Sequence, residues 1–334
     1  MKKLKMFIFI LGFFQIIISG CVKDAERDNP LDPKSNLYND RASIHGKVYS
    51  YYQPFRPIHH ADIIIHPDHN WTTSDEFGDF TIAELPAGNY TIHVQKNGYA
   101  PDSMNITLEP GSDGYFQFNL NGLPTLISKK ISIGHISRWW PTDDLYAVKI
   151  EIEVSDPDGV ADIQSAQLNI PEYDILLDLD RTQTPSIFSL MLNEEDLPLS
   201  SVHELLGHPM YFYIHDLPES HCKTDAFYAA RVIEDTPTPI SPISLAMVGN
   251  SPVLTWQKIR LPFLFTYNIK IYRIDQGINT LVKQTAGISA DSLSYQVTDI
   301  LSEGTYFWTL TMEDEFGNWS RSKEAAFQVQ NFLE

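Results

Sequence analysis

The sequence predicts an all-β protein built from tandem antiparallel β-sandwiches. Strand-sized segments in which apolar and polar residues alternate fill most of the chain after residue 41. Clusters of glycine, proline, asparagine and aspartate separate these segments, as turns do in all-β domains. We find no long stretch with the 3.6-residue apolar period of a helix. These observations favour stacked sandwiches over a helical or mixed fold.

The first twenty residues have the features of an export signal. An apolar run from Phe7 to Ile18 follows three lysines and ends in small residues before Cys21. A dozen apolar residues are too few for a transmembrane helix, which takes about 20. A basic start, a short apolar centre and small residues at the cut are typical of a cleaved signal, either of a lipoprotein or of an ordinary secreted protein.

The end of this signal resembles the box that precedes the lipidated cysteine of bacterial lipoproteins, with Ile18 in place of the usual leucine. The resemblance implies a signal peptide at residues 1–20, lipidation of Cys21, and a flexible tether up to residue 41. Because such a cysteine carries several acyl chains, the anchor would be stable. Val22 is not the aspartate that retains lipoproteins in the inner membrane of some bacteria. We therefore expect an outer-membrane location, facing either the periplasm or the cell surface.

The composition excludes some partners. Removal of the signal leaves 21 basic and 43 acidic residues, a net charge of −22. Nucleic-acid binding requires lysine and arginine to neutralise phosphates, so we expect no nucleic-acid partner. After lipidation of Cys21, Cys222 is the one remaining cysteine and cannot form an internal disulfide. Each domain must therefore be stabilised by its own core.

The first predicted domain covers residues 42–122. Tyr90, Ile92 and Val94 alternate with His93, which predicts a strand that buries the three apolar side chains and points His93 outward. Four further segments have a recognisable pattern: Gly46-Lys47-Val48, residues 75–80, residues 85–90 and Gly98-Tyr99. Through these segments the domain resembles the carboxypeptidase regulatory-like domain, a transthyretin-like sandwich of seven strands. In metallocarboxypeptidases this module accompanies a separate catalytic domain, and the fold recurs as a sugar-binding-like module, so the resemblance implies binding or spacing rather than chemistry.

The second predicted domain covers residues 124–235. Residues 148–155 alternate strictly between apolar and polar types, which predicts a half-buried strand, and residues 210–214 predict a later one. This region is similar to bacterial immunoglobulin-like domains. Residues 171–209 are less regular, and a short helix could lie there.

The third predicted domain covers residues 238–330 and follows a stiff, proline-rich linker at residues 235–242. It resembles a fibronectin type III domain through an early strand ending at Trp256 and through the spacing of a tyrosine corner around Tyr306. The resemblance implies that Trp256 is buried and that the Tyr306 hydroxyl bonds to the backbone.

Three motifs that contain histidine raise the question of catalysis or metal binding. His203-Glu204 and His208 nearly form the zinc-peptidase motif H-E-x-x-H, but the histidines are five positions apart instead of four, so one helical face cannot hold both. His221-Cys222 suggests a nucleophile pair, yet neighbours in sequence rarely form one. The remaining histidine motif consists of His59, His60, His66 and His69. Solvated loop residues explain it more simply than a zinc site does.

Asp156 and Asp158 are the candidate metal ligands, because Ca²⁺ prefers carboxylate and carbonyl oxygens. The alternative is a simple turn, since Asp, Pro and Gly159 occupy favoured turn positions. Exposed aromatic rings are the candidate binding groups, at Tyr49, Tyr51, Tyr52 and Phe55 and at Trp139-Trp140, where strand alternation would put one of the two tryptophans in the core.

We therefore expect a non-catalytic, lipid-anchored envelope protein that needs no cofactor, has no catalytic residues and presents β-sandwich modules for protein binding or as a spacer. The alternative is a surface lipoprotein that binds carbohydrate through the first module. A metal-dependent hydrolase acting through residues 203–222 is the third hypothesis. The sequence does not identify the ligand, the envelope protein or glycan partner, or the oligomeric state.

Overall fold

The computed structural model describes residues 41–330 and, before them, residues 32, 34, 35, 38 and 40. The predicted signal peptide, Cys21 and most of the predicted tether lie outside the described residues. Within the described part the chain consists of strands and turns with three short 3-10 helices, which confirms the predicted all-β class. No helix in this part is long and apolar enough to cross a membrane. Two compact units divide the chain, Met1–Asn121 and Gly122–Glu334.

The first unit is a sandwich of two sheets. Its strands are β1 (Arg41–Ser50), β2 (Asp62–His66), β3 (Asn70–Thr73), β4 (Asp79–Pro86), β5 (Gly88–Gln95), β6 (Asp102–Leu108) and β7 (Asp113–Leu120). One sheet has the strand order β4-β1-β7 and the other β3-β2-β5-β6. Strands β1 and β7 pair in parallel, and the other pairs are antiparallel.

Alternation along the strands builds the core of this unit. Tyr90, Ile92 and Val94 are buried on β5 while His93 is half-buried on its other face, as the sequence predicts. The acid-glycine turn at residues 75–78 connects β3 with β4, which lie in different sheets. This turn therefore connects the two sheets of the sandwich, and β2 and β3 form the hairpin of this region.

The second unit begins with a region that has its own hydrophobic core. The predicted strand at residues 148–155 is present, with Val148, Ile150, Ile152 and Val154 at most 3% exposed. Residues 171–209, which are less regular in sequence, contain two strands and short 3-10 helices at Pro171–Tyr173, Glu194–Asp196 and Val202–Leu205. The strands are β8 (Thr125–Ile136), β9 (Leu145–Ser155), β10 (Ile163–Ile170), β11 (Ile175–Arg181), β12 (Ile187–Asn193), β13 (Tyr211–Asp216) and β14 (His221–Lys223).

The rest of the second unit surrounds another core, which contains Trp256 at 2% exposure. The Tyr306 hydroxyl donates to the Ser302 carbonyl at 2.9 Å, so the predicted tyrosine corner is present. Part of the predicted linker, Pro239–Ser241, is a strand that pairs with Val253–Trp256. The strands are β15 (Pro239–Ser241), β16 (Ala246–Val248), β17 (Val253–Trp256), β18 (Phe265–Asp275), β19 (Ile278–Ser289), β20 (Ser294–Gln296), β21 (Gly304–Asp314), β22 (Trp319–Arg321) and β23 (Ala325–Val329).

One continuous sheet joins the two cores of the second unit. Strand β22 pairs with β21 on one side and, in parallel, with β8 on the other. The predicted boundary between residues 124–235 and 238–330 falls inside this unit. The two regions therefore share backbone hydrogen bonds, and a proline-rich linker is not their sole connection.

Candidate functional site

An outer sheet face of the first unit carries aromatic and polar side chains in register. Parallel pairing of β1 with β7 places His45 beside Tyr115, and Tyr49 beside Asn119. Tyr115 is 55% exposed, and its ring meets the His45 ring edge-on at 5.4 Å between centroids. We call this surface the β1–β7 face, formed by His45, Lys47, Tyr49, Tyr115, Gln117 and Asn119.

A loop at residues 51–57 extends the aromatic surface. Ser50 and Arg56 close its base, with Ser50 N–H donating to the Arg56 carbonyl at 2.8 Å and Arg56 N–H donating to Ser50 Oγ at 3.0 Å. Phe55 folds back onto Tyr49, with the ring centroids 6.0 Å apart and the planes 27° apart. Tyr51 and Tyr52 remain exposed beside them, at 46% and 38%. The four aromatic residues that the sequence predicts to act together are therefore brought together.

Ion pairs fix the polar side chains of the β1–β7 face. Lys47 Nζ lies 2.7 Å from Asp79 Oδ1, and this hydrogen bond raises the pKa of Lys47. Asp113 Oδ1 accepts from Ser43 Oγ at 2.5 Å and lies 3.1 Å from His45 Nδ1. The hydrogen bond from Ser43, followed by that from His45, lowers the pKa of Asp113. The face therefore holds its charged groups in fixed positions next to the rings.

Sequence reasoning missed Tyr115 as part of this surface. It lies 66 residues after Tyr49 in the chain, and only the pairing of the first strand with the last strand of the sandwich puts the two on one sheet. The sequence signal that was available is the alternation of Tyr115, Gln117 and Asn119 with buried Phe118 and Leu120.

The predicted calcium candidates lie in an acidic cluster at one end of the second unit. Oxygen atoms of Asp156, Asp158 and Asp162 all lie within 4.8 Å of one another. The predicted turn is also present, because Gly159 N–H donates to the Asp156 carbonyl at 3.0 Å. Among the residues that the structure describes, this is the only such group of three potential metal ligands. Sequence reasoning missed Asp162, although the spacing D-x-D-x3-D was visible.

Burial and like charges act on Asp156 in this cluster. Burial raises the pKa of Asp156 to about 6, against the effect of the N–H that Asp158 donates to it. The charges of Asp162, Asp158 and Asp216 contribute to the same rise in the pKa of Asp156. Asp216 is completely buried and Asp162 is 4% exposed. Two buried carboxylates, Asp162 and Asp216, thus act on the part-buried carboxyl of Asp156.

The two histidines of the motif that resembles H-E-x-x-H make contacts with different residues. His203 is in the 3-10 helix Val202–Leu205, whereas His208 follows Gly207, a residue with a φ of 80°. His208 Nδ1 lies 2.6 Å from Glu172 Oε2, and His203 Nε2 bonds to Glu234. The helix ends between them, in agreement with the prediction that one helical face cannot hold both.

A hydrogen-bonded network around Glu234 was not foreseen from the sequence. Tyr146 donates to Glu234 Oε2 at 2.7 Å, and His203 Nδ1 lies 2.8 Å from Ser201 Oγ. Burial and the Glu234 carboxylate raise the pKa of Tyr146. Ser201, His203 and Glu234 stand in the order of a catalytic triad, but Ser201 Oγ also accepts the His203 N–H as the helix cap. The cap accounts for the position of Ser201.

The other histidine and cysteine candidates are dispersed. The four exposed histidines form two separate pairs, in which His59 stacks on His60 and His66 meets His69 edge-on. Cys222 is a half-buried free thiol on β14, where burial raises its pKa. A raised pKa makes a thiol less nucleophilic at neutral pH.

The prediction that one of Trp139 and Trp140 belongs to the core is wrong. Both are exposed, at 64% and 83%, because β8 ends at Ile136 and the alternation of a strand no longer applies. Trp139 Nε1 donates to the Glu324 carbonyl at 2.9 Å, and Lys323 Nζ lies 4.8 Å from the ring centroid. Trp139 lines a groove of about 420 Å³ together with prolines of the segment 236–239.

Comparison with known proteins finds one family model that matches part of this chain. The model of the carboxypeptidase regulatory-like domain family matches residues 43–121, which confirms the predicted resemblance of that segment. No curated protein matches the chain.

Several solved structures are similar at low identity. The FN1–FN3 domains of chicken CNTN1 are 11% identical, with 83% of this chain and 92% of that chain covered and a TM-score of 0.32. The TIE protein of Bacillus anthracis is 10% identical, with coverages of 87% and 49% and a TM-score of 0.27. A putative carbohydrate binding protein from Bacteroides uniformis is 12% identical, with coverages of 57% and 99% and a TM-score of 0.23.

Proposed function

We propose that this chain is a non-catalytic, lipid-anchored protein of the bacterial cell envelope that presents β-sandwich modules to a protein partner, or spaces them in an envelope assembly. The observation that carries the proposal is the aromatic surface formed by the β1–β7 face and the loop at residues 51–57. Tyr51, Tyr52, Phe55 and Tyr115 are each between 38% and 55% exposed on one module. Large rings held at low entropic cost are typical anchors of protein interfaces.

The rigidity of the surroundings supports a role in binding. The backbone of β1 is paired on both sides, by β4 and by β7, and hydrogen bonds between Ser50 and Arg56 close the loop. A partner would therefore meet rings that are already in place, which lowers the entropic cost of association. The separate contacts of His203 and His208 support the non-catalytic part of the proposal.

Crosslinking in intact cells followed by pull-down of the anchored protein tests the main proposal. We expect one envelope protein to be recovered with the parent chain and lost when Phe55 and Tyr115 are both replaced by serine. Trp71→Ser is the matched control, because Trp71 is a 69% exposed ring on the opposite sheet of the same unit. Recovery of the same partner by the double variant would contradict the assignment of this surface.

The lipid anchor needs its own test, since Cys21 lies outside the described residues. We expect the parent chain to incorporate a fatty-acid label and to sediment with membranes. Cys21→Ser should abolish the label and release the chain, or leave it uncleaved. Labelling that persists in the Cys21→Ser variant would remove Cys21 as the acylated residue.

Carbohydrate binding by the first module is a second candidate, favoured by the mixture of rings and amides on the β1–β7 face. Gln117 Nε2 donates to Asn119 Oδ1 at 2.9 Å, so the amide dipoles are oriented beside Tyr49. Aromatic faces with adjacent hydrogen-bonding groups suit the apolar face and hydroxyls of a sugar. On a glycan array, the full parent chain in detergent should bind a sugar. The Tyr115→Ser variant should lose this binding, and the Trp71→Ser variant should keep it. No retained sugar would leave the protein-binding proposal in place.

A further inference from the structure

The groove beside Trp139 in the second unit has the size and lining of a small-ligand site, and we call it the Trp139 groove. Its volume of about 420 Å³ falls within the range of about 300–1,000 Å³ that such sites have. Pro237 and Pro239 form apolar walls together with the indole of Trp139. Ligand sites combine apolar walls with a few polar groups that orient the ligand, and Ser137 and Lys323 line this groove as well.

The indole of Trp139 is held in place and presents its ring surface. Its Nε1 donates to the Glu324 carbonyl at 2.9 Å, while the residue is 64% exposed. Because that donor is occupied, the exposed part of the side chain is apolar. An aromatic surface of fixed orientation suits the flat apolar face of a sugar ring.

Hydrogen bonds also fix the segment 236–244, which forms one wall of the groove. Trp308 Nε1 donates to the Pro242 carbonyl at 2.9 Å. Just after the segment, the Leu245 N–H donates to the Ala326 carbonyl at 2.8 Å. The groove is therefore formed before a ligand arrives, which lowers the entropic cost of binding.

A nearly buried hydroxyl in the groove has no partner. Ser137 lines the groove but is only 7% exposed, and its N–H donates to the Arg321 carbonyl at 3.0 Å. Its side-chain hydroxyl forms no hydrogen bond with any residue that the structure describes. Since nearly buried polar groups are normally hydrogen-bonded, a ligand that carries hydroxyl groups would complete this site.

Lys323 gives the groove a positive charge. Its Nζ lies 4.8 Å from the centroid of the Trp139 ring. The neighbouring Glu324 carboxylate is bound to Arg321 at 3.0 Å, and Lys323 forms no ion pair with a described carboxylate. The described lysines that do form one are Lys47, Lys149, Lys258 and Lys283. A carboxylate on the ligand would therefore meet an available ammonium group beside the indole.

We propose that the Trp139 groove binds an acidic sugar, with one sugar ring stacked on the indole, its carboxylate at Lys323 and a hydroxyl group at Ser137. A proline-rich peptide also docks on aromatic grooves, but it brings no negative charge for Lys323. The site is independent of the ligand proposed for the β1–β7 face, because that face belongs to the first unit.

A glycan array that carries uronic-acid and sialic-acid glycans beside their carboxyl-reduced forms tests this proposal with the full chain in detergent. We expect the parent chain to bind an acidic glycan, and titration calorimetry to show binding at least about tenfold tighter than that of its carboxyl-reduced form, since the reduced form loses a charged hydrogen bond. Binding to none of the acidic glycans, or equal binding of the reduced forms, would overturn the proposal.

Matched variants locate the site, with circular dichroism to verify folding. Trp139→Ser should weaken binding of both glycan forms by about tenfold or more. Trp140→Ser is the control, because Trp140 is 83% exposed and adjacent in sequence but does not line the groove. Lys323→Gln should bind the acidic and reduced forms equally, and Tyr115→Ser should bind as the parent does. Parent-like binding by the Trp139 variant, or an unchanged preference in the Lys323 variant, would show that the groove is not the site.

Discussion

The indole ring of Trp319 occupies the space beside Gly134 that any larger residue would need. A Cβ atom at Gly134 would lie 2.3 Å from Trp319 Cζ2 and 2.4 Å from Cε2. The two residues face each other where β22 joins β8 in parallel, so the contact lies on the seam between the two cores of the second unit. The close approach of strand and ring depends on the absence of a side chain at Gly134.

Gly134→Ala should therefore destabilise the second unit. The new methyl group must displace the Trp319 ring or separate β8 from β22, and overpacking of this kind costs about 1–3 kcal/mol. Urea unfolding followed by tryptophan fluorescence measures the change. Gly249→Ala is the matched control, because a Cβ atom there would meet nothing within 4 Å. Equal free energies of unfolding for the two variants would contradict this account of the seam.

A buried asparagine holds the same seam by hydrogen bonds. Asn318 is 2% exposed, its Oδ1 accepts the Ile133 N–H at 2.9 Å, and its Nδ2 donates to Asp314 Oδ2 at 3.0 Å. Asn318→Ala would leave the Ile133 N–H without an acceptor, which costs about 1–3 kcal/mol. Chemical denaturation would detect the loss. Asn279→Ala, at an exposed position of β19, should change the free energy of unfolding by less than about 0.5 kcal/mol.

Local patterns in the sequence were enough to predict most of the fold. Alternation at residues 148–155 predicted β9, and the spacing around Tyr306 predicted the tyrosine corner, because both depend on neighbours within a few residues. The pairing of β22 with β8 at the seam could not be predicted from the sequence. It depends on a three-residue strand at Trp319–Arg321 that pairs with residues about 185 positions earlier, and no periodicity marks such a pairing.

The candidate sites were predicted only where they are local. The turn at Asp156 and the group at residues 49–55 are short-range features, and both occur in the structure. Tyr115 was missed because parallel pairing of β1 and β7 sets its position. The prediction that one of Trp139 and Trp140 belongs to the core was wrong because it extended the alternation of β8 beyond the end of the strand at Ile136.

Acid should weaken the second unit in part through Glu234. Burial opposes ionisation of this carboxyl, but hydrogen bonds from Tyr146 and His203 outweigh it and lower the pKa of Glu234 below 4.5. A carboxylate with a lowered folded-state pKa contributes stability above its unfolded pKa and loses it as the pH falls through the folded value. We therefore expect the contribution to be complete at neutral pH and to be lost as the pH falls through the lowered pKa of Glu234.

Glu234→Gln tests this pH dependence. The variant should lose less stability than the parent between pH 6 and pH 3, and the difference should be below about 1 kcal/mol because the Glu234 side chain is 55% exposed. Free energies of unfolding measured across that range give the comparison. Glu195→Gln should follow the parent curve. Parallel curves for the parent and the Glu234 variant would rule out the contribution.

The hydroxyl of Tyr306 should contribute measurably to the free energy of unfolding. It donates to the Ser302 carbonyl at 2.9 Å and lies 3.2 Å from Ser302 Oγ, in a residue that is only 1% exposed. Tyr306→Phe therefore removes both hydroxyl contacts and leaves the ring packing intact. A typical hydrogen bond contributes about 0.5–1.5 kcal/mol, and we expect a loss of that size in urea unfolding. Tyr228→Phe, at a 55% exposed ring, is the control and should have almost no effect. If the two variants unfold at the same urea concentration, the corner hydrogen bond contributes nothing to the fold.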